Sequence, residues 1–223
     1  MKLPSLILAS NSPRRSELLR QAGVEFRVVP SDAAELHHDQ LTGREISQIN
    51  AYRKARAVAK RFPDGLVLGA DTVVDVDSKI FGKPSNLEEA YEMLEKLQGH
   101  THMVITGICL LHLRSHRQRI FSESTAVVFR PLDAVKIRRY LTQVNPLDKA
   151  GAYAIQEHGD EIIERISGSH SNVVGLPMER LSGELRAWAG SAGDYGAFPT
   201  LLAETMSAAS IRVTRPSHFP GGL

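Results

Sequence analysis

The sequence predicts a mixed α/β fold, a twisted sheet of parallel and antiparallel strands with helices packed against it. Three observations carry this. Short apolar runs, LILA at 6–9 and LVLGAD at 66–71, alternate with longer helical stretches, as strands joined through helices do. Two longer strand-like runs, MVITGICLLHL (103–113) and RIFSESTAVVF (119–129), flank a polar turn at 114–118 and form the arms of an antiparallel hairpin. The helical stretches also begin and end at recognisable caps and stops.

Taken in order, LILA is a short buried strand. Ser10, Asn11, Ser12 and Pro13 turn the chain, and Arg14 and Arg15 open an amphipathic helix that Gly23 closes. VEFRVVP at 24–30 alternates as a strand. Thr42 and Glu45 make a capping box ahead of a helix running to about Phe62, where Pro63, Asp64 and Gly65 stop it. LVLGAD is a buried strand ending at Asp71, and TVVDVDSKIF continues as a hairpin that turns near Asp77 and Ser78. Asn86 and Glu89 make a second capping box, opening a helix that Gly99 ends. After the long hairpin, Asp133 caps a helix to about Thr142, and 145–159 is turn-rich. EIIERISG at 161–168 and SNVVGL at 171–176 read as a last strand pair, and Pro177 starts a final helix through Trp188. From about Gly190 the chain turns to small residues without a period. We therefore expect one domain over 1–189 and an extension over 190–223, with a short central helix, a disordered end and no chemistry. No repeat of roughly 20–50 residues is present.

The chain has 223 residues, enough to bury a full core without staples. Its hydrophobic content of 42% and charged content of 23% are ordinary for a globular protein. A net charge of +2 excludes a strongly basic nucleic-acid binder, so cations matter here by position and not by total. The single cysteine, Cys109, sits in an apolar run and reads as a buried strand thiol. It has no partner for an internal disulfide, which suits a reducing compartment. No apolar stretch approaches the ~18 residues of a membrane span. The start MKLPSLILAS, broken by Pro4, reads as the first strand and not as a signal peptide, so a cytoplasmic location is expected.

Several chemistries lack their motifs. There is no GxxxxGK[ST] loop and no GxGxxG after a strand. The histidines fall in no metal-ligand frame such as HExxH, and GSHSN at 168–172 lacks the nucleophile elbow of serine hydrolases. What remains gathers at strand ends and turns. Ser10, Ser12, Arg14 and Arg15 stand where a strand hands over to a helix, and the helix N-terminus there favours an anion. Arg opposes the helix dipole at that position, and its forked donors match phosphate oxygens. Asp71 and Thr72 close a buried strand, where a carboxylate can hold a divalent cation, take a proton from water, or merely cap a turn. Lys83, in the turn between Gly82 and Pro84, is either a phosphate clamp or a solvated lysine. Read singly, Lys54 belongs to a solvated face with Arg53 and Arg56, Glu35 is an exposed loop residue, and Gln156 is a surface amide. A Gln amide does carry both a donor and an acceptor, as the edge of a nucleobase requires.

Together SNSPRR, GADTVV, the GKP turn, EEAYEMLEKLQGHTHMVITG, and DKAGAYAIQEHG followed by SNVVGLP resemble the Maf family of nucleoside triphosphate pyrophosphatases. The resemblance runs from about Leu3 to Trp188, with the motifs in family order. It implies a mixed sheet in two lobes with a central cleft, akin to the inosine triphosphate pyrophosphatases. The activity it implies is cleavage between the α and β phosphates, with a divalent cation, Mg or Mn, as cofactor. Carried over residue by residue, Asp71 is the proton acceptor, with Lys83, Lys54 and Glu35 as further catalytic positions. Asp71 and Glu35 are the implied metal ligands, and Ser10, Ser12, Arg14, Arg15, Thr72 and Gln156 bind substrate. Arg14, Thr72 and Gln156 match the dTTP/UTP branch and not the 7-methyl-GTP branch. The passage from Asp32 to Arg53 matches the family only loosely. The implied partner is a nucleoside triphosphate, with no nucleic acid and no membrane, and a homodimer is compatible. A rival reading is a nucleotide-binding regulator of septum formation that uses the same cleft.

Overall fold

The computed structural model describes residues 5–190, so nearly all of the extension expected over 190–223 lies outside the described residues. Strand β1 (Leu6–Leu8) leads through α1 (Pro13–Gln21) to β2 (Phe26–Val28), and through α2 (Gly43–Ala59) to β3 (Leu66–Val76). Both β2 and β3 lie parallel to β1. Strand β4 (Lys79–Phe81) folds back antiparallel onto the far half of β3, through a turn in which Asp77 and Ser78 both have positive φ. After α3 (Leu87–Leu97), β5 (Thr101–His112) and β6 (Arg117–Phe129) form the expected long hairpin, with β5 antiparallel to β3. Helix α4 (Ala134–Gln143), two 3-10 turns at 146–148 and 150–152, and the short α5 (Gly159–Ile162) lead to β7 (Ile163–Ser167) on β6. Helices α6 (His170–Val174) and α7 (Met178–Gly190) complete the described chain. The sheet order is β2-β1-β3-β5-β6-β7, with β4 beside β3.

Three apolar clusters divide this sheet into lobes. Leu6, Leu8, Leu19, Leu68, Ile108 and Leu181 fill the space between one face and α1 and α7. Ile7, Ala51, Ala55, Val58 and Val67 fill the other face under α2. The far halves of β3 and β5 enter a separate cluster with α3 and α4, built on Val74, Leu94, Leu97, Val104, Phe129 and Tyr140. Strand β1 pairs with β3 only as far as Leu68, and β4 joins the same edge at Val74. Between them that edge of β3 is open, and the open edge sits at the junction of the lobes.

Helix α2 lies unusually close to the sheet. A Cβ on Gly69 would sit 2.1 Å from the carbonyl oxygen of Ala51, and one on Gly107 would sit 2.2 Å from the backbone of Ser47. Only glycine admits that approach. Thr42 caps the helix by the box read from sequence, its hydroxyl accepting from Glu45 N–H while the Glu45 carboxylate accepts from Thr42 N–H.

Four readings change. SNVVGL is not a strand: 170–174 is helical, because Ser169 caps Asn172 N–H and the buried Asn172 amide donates to Val104 O and Thr125 Oγ1. The partner of β7 is therefore β6 alone. Asp71 does not end a strand but sits mid-way along β3, which continues through the hairpin to Val76. The Asn86 box is one-armed: Asn86 accepts from Glu89 N–H, but the Glu89 carboxylate turns to the backbone and hydroxyl of Ser85. The strand expected over 24–30 shrinks to Phe26–Val28.

Candidate active site

The open edge of β3 forms the floor of a cleft of about 340 Å³ between the lobes. All ten residues singled out from the sequence line it: Ser10, Ser12, Arg14, Arg15, Glu35, Lys54, Asp71, Thr72, Lys83 and Gln156. Positions spread over nearly 150 residues thus converge because β1, α1, α2, β3 and the 145–158 segment all meet at this junction.

Asp71 is the centre, 5% exposed. Two side chains one turn apart on α2 hold its carboxylate: Lys54 Nζ donates to Oδ1 at 2.6 Å and Asn50 Nδ2 to Oδ2 at 3.1 Å. The close approach of α2 at Gly69 and Gly107 brings both within reach. Lys54 also donates to Glu35 at 2.7 Å, so one ammonium bridges two carboxylates. Burial alone would raise the Glu35 carboxyl, but Lys54, aided by Lys83 and His37, outweighs it and holds the pKa below the ordinary carboxylate value. Asn50 additionally clips the loop carrying Glu35, accepting from Leu36 N–H at 2.7 Å and donating to Leu36 O at 3.2 Å. Lys54 is therefore not part of a solvated basic face; its side chain is 13% exposed and points into the cleft.

Arg14 and Arg15 diverge. Arg14 reaches across the cleft to Asp148, Nη1 to Oδ2 at 3.1 Å and Nη2 to the backbone oxygen at 2.9 Å. Four of the five Arg15 donors go to protein: Nε donates to Gly175 O, Nη1 to Ser10 Oγ and Ala70 O, and Nη2 to Thr72 Oγ1. Burial lowers its pKa, opposed by the Asp71 charge. Thr106 donates its hydroxyl hydrogen to Asn172 O and stands 3.0 Å from Thr72 Oγ1. With the Thr106 hydrogen committed, Thr72 must donate to Thr106 while accepting from Arg15. Thr72 thus offers a ligand only a lone pair. Ser10 is opposite in sense, because its oxygen accepts from Arg15 and from Ser12 N–H and its hydrogen remains to be donated. Ser12 is the N-cap of α1 but makes no side-chain cap bond, so it leaves the first-turn amides uncapped.

Lys83 and Gln156 are exposed at the rim. Gly151 N–H donates to Gly82 O, tying the Lys83 turn to the segment that carries Gln156. Sequence reasoning missed Asn50, Asp148 and Lys149. For Asn50 there was a signal, a poor helix former inside α2 one turn before Lys54. Cys109, as expected, is a buried thiol, and burial pushes its pKa up to about 12. Among the described residues no helix is long and apolar enough to cross a membrane.

Uncapped helix amides, converging cations and a buried carboxylate at the open edge of a mixed sheet define an α/β protein with a cleft suited to a polyanion. The family model for Maf-like proteins matches residues 5–188, and the chain belongs to the Maf family. Among curated relatives, the dTTP/UTP pyrophosphatase of Pelotomaculum thermopropionicum is 42% identical over 184 residues, covering 82% of this chain and 96% of that protein. The dTTP/UTP pyrophosphatases of Ruminiclostridium cellulolyticum and Symbiobacterium thermophilum are 45% and 46% identical. The alignments cover 81% and 80% of this chain, and 94% and 91% of those proteins.

Proposed function

We propose that this protein hydrolyses dTTP and UTP to the monophosphate and pyrophosphate. The observation that carries the reading is Asp71, buried and aimed by Asn50 and Lys54 at a cleft that the uncapped start of α1 also enters. Relatives covering over nine-tenths of their own length carry the name dTTP/UTP pyrophosphatase, which supports the substrate choice.

In this reading the α1 amides, Ser10 and Arg14 bind phosphate oxygens, and Lys54 and Lys83 offset their charge. Arg15, four of its five donors engaged by protein, shapes the Ser10 and Thr72 side of the cleft and keeps one Nη2 hydrogen for a phosphate oxygen. Asp71 orients a water toward the α phosphorus and accepts its proton as the new P–O bond forms. The bond to the β-phosphate oxygen breaks and pyrophosphate leaves. Gln156 meets the base with one donor and one acceptor, as a uracil or thymine edge requires.

A divalent cation fits the donors present. Asp71 and Glu35 are hard oxygen ligands facing one cleft, bridged by the Lys54 ammonium at 2.6 and 2.7 Å, so a divalent cation held by both would take the place of that ammonium. That pattern suits Mg²⁺ or Mn²⁺ held by one or two carboxylates together with substrate phosphates. When bound, such an ion supplies further neutralisation of the triphosphate.

The test is incubation with UTP and dTTP in the presence of Mg²⁺ or Mn²⁺, with products resolved. We expect UMP or dTMP and pyrophosphate as the first products. Initial release of UDP and inorganic phosphate overturns the reading.

A further inference from the structure

Lys149 is a lysine that the proposed chemistry does not use, yet its side chain is only 4% exposed. Its ammonium donates to Asn145 O at 2.7 Å and to Asp148 Oδ1 at 2.8 Å, and pairs with the Glu157 carboxylate at 3.0 Å. These contacts hold the ammonium within the wall. What it does is join two points of the cleft wall. Asp148 is the residue that Arg14 grips from the opposite lobe, and Glu157 follows Gln156 directly. Ala152 and Tyr153 anchor the middle of the wall in the α3–α4 core, with Ile155 packed against it, and Asp148, Gln156 and Glu157 lie on either side of that anchor. Between the end of α4 and the start of α5 the chain has only two 3-10 turns, and Gly151, Ala152 and His158 take positive φ. The other tie at Gln156 is the Tyr140 hydroxyl, which accepts from Ala154 N–H at 3.1 Å and contacts Glu157 O at 3.3 Å. Burying the ammonium is costly, while its two carboxylate partners stay about two-fifths exposed, and an apolar side chain of similar volume would often hold a fold as well. The charge therefore adds geometry more than stability.

We propose that Lys149 is a specificity-determining positioning residue, which sets the place of Gln156 by clamping Asp148 and Glu157 from beneath the wall. This rests on the pyrimidine-nucleotide reading for the ligand concerned, but it concerns a separate residue. With Lys149 removed, Asp71, Lys54, Ser10 and the α1 amides keep their places, while the base-facing amide loses its fixed position. Base discrimination should then fall more than turnover.

The experiment compares the full-length protein with Lys149→Met, Lys149→Arg and Glu157→Gln, measuring kcat and KM for UTP, dTTP, CTP and GTP. For Lys149→Met we expect KM for UTP to rise about tenfold and the UTP-to-CTP ratio of kcat/KM to fall about as much, the scale of one net hydrogen bond. Its kcat should fall less than about threefold, the signature of lost binding and not of lost transition-state contact. Lys149→Arg should recover most of the ranking, and Glu157→Gln should move it the same way by less. Folding is checked by thermal denaturation, and if Lys149→Met does not fold, Glu157→Gln decides. An unchanged ranking in the folded variants, or an equal fall in kcat for every nucleotide, overturns the positioning role. A wild-type protein that turns over no pyrimidine triphosphate overturns the proposed function instead, and the ranking on the nucleotides it does accept still tests Lys149.

Discussion

On one side of the cleft, Asp71, Asn50 and Lys54 stand on a strand and a helix whose backbones touch at Gly69 and Gly107. On the other, Gln156 stands on a segment of turns held by a buried ammonium, a tyrosine hydroxyl and a clasp from Arg14. The first construction fixes side chains through close-packed main chain, where a displacement of an ångström has to move a whole helix. The second is anchored in the core at Ala152 and Tyr153, but its rim residues are fixed by a few polar contacts, each replaceable by one substitution. A wall of that kind can be altered without dismantling the carboxylate centre. The two sides should therefore fail differently when perturbed: the helix side in turnover and stability together, the turn side in selectivity.

The largest effect is expected at the centre of the rigid side. Asp71→Asn keeps the shape and one acceptor but removes the base, and its kcat should fall about 10³-fold, within the range for loss of a general base. The Tm should fall as well, because Lys54 loses a buried carboxylate partner and Asn50 an acceptor. A variant retaining most of its kcat would make Asp71 a structural residue and dissolve the contrast between the two sides.

Next is Gly107→Ala. The new Cβ meets the backbone of Ser47 at 2.2 Å, so α2 must shift, carrying Asn50 and Lys54 with it. A cost of about 3 kcal/mol is expected, the upper end for overpacking. In a chain of this size that is a fall in Tm of roughly 6–12 °C, accompanied by loss of kcat. A Tm within about 2 °C of wild type, on that same scale, would show that the helix is not seated by the glycine contact.

These two positions also mark how far the sequence could be read. Local devices were legible because they are written in adjacent residues: the Thr42–Glu45 box, the Asp77–Ser78 turn, the hairpin across 114–118. The α2 contact was not, since nothing in a lone Gly107 says which main chain approaches it. SNVVGL was misread because its two valines favour a strand, while its helix depends on an Asn172 amide bonded to β5 and β6. The candidate residues were legible as a set only through the ordered motifs. Lys54 or Gln156 taken singly looked solvated, and Lys149 gave no signal of burial because its partners lie in irregular chain.

A smaller effect belongs beneath the turn side. His102 is buried against Phe129, and its Nε2 pairs with the Tyr153 hydroxyl at 2.7 Å. Burial lowers its pKa from 6.5 to about 4. The unfolded chain therefore binds a proton that the folded one refuses throughout that window, and stability is lost as pH falls from 6.5 toward 4. Between pH 7.5 and pH 5 this group should cost about 2 kcal/mol. Denaturant titrations of wild type and His102→Gln at both pH values should show that much less acid sensitivity in the variant. Equal slopes would mean that His102 titrates normally.

The smallest effect, and the one that most sharpens the comparison, is expected at Gln156. Its side chain stands exposed at the rim, so substitution there costs the fold little. Gln presents one donor and one acceptor, whereas an ionised Glu only accepts. A uracil or thymine edge pairs carbonyl acceptors with one N–H donor, so Gln156→Glu should keep the contact to the N–H and place a carboxylate against a carbonyl oxygen. We expect kcat/KM for UTP and dTTP to fall about tenfold, the scale of one net hydrogen bond at an exposed position. CTP and GTP, whose edges offer amino donors, should lose less, and kcat should change little for any of them. The same panel on Gly107→Ala should lower all four nucleotides together. Selectivity would then move with the turn side and turnover with the helix side. A Gln156→Glu protein with the wild-type ranking would take the amide out of base recognition and leave the wall without a role of its own.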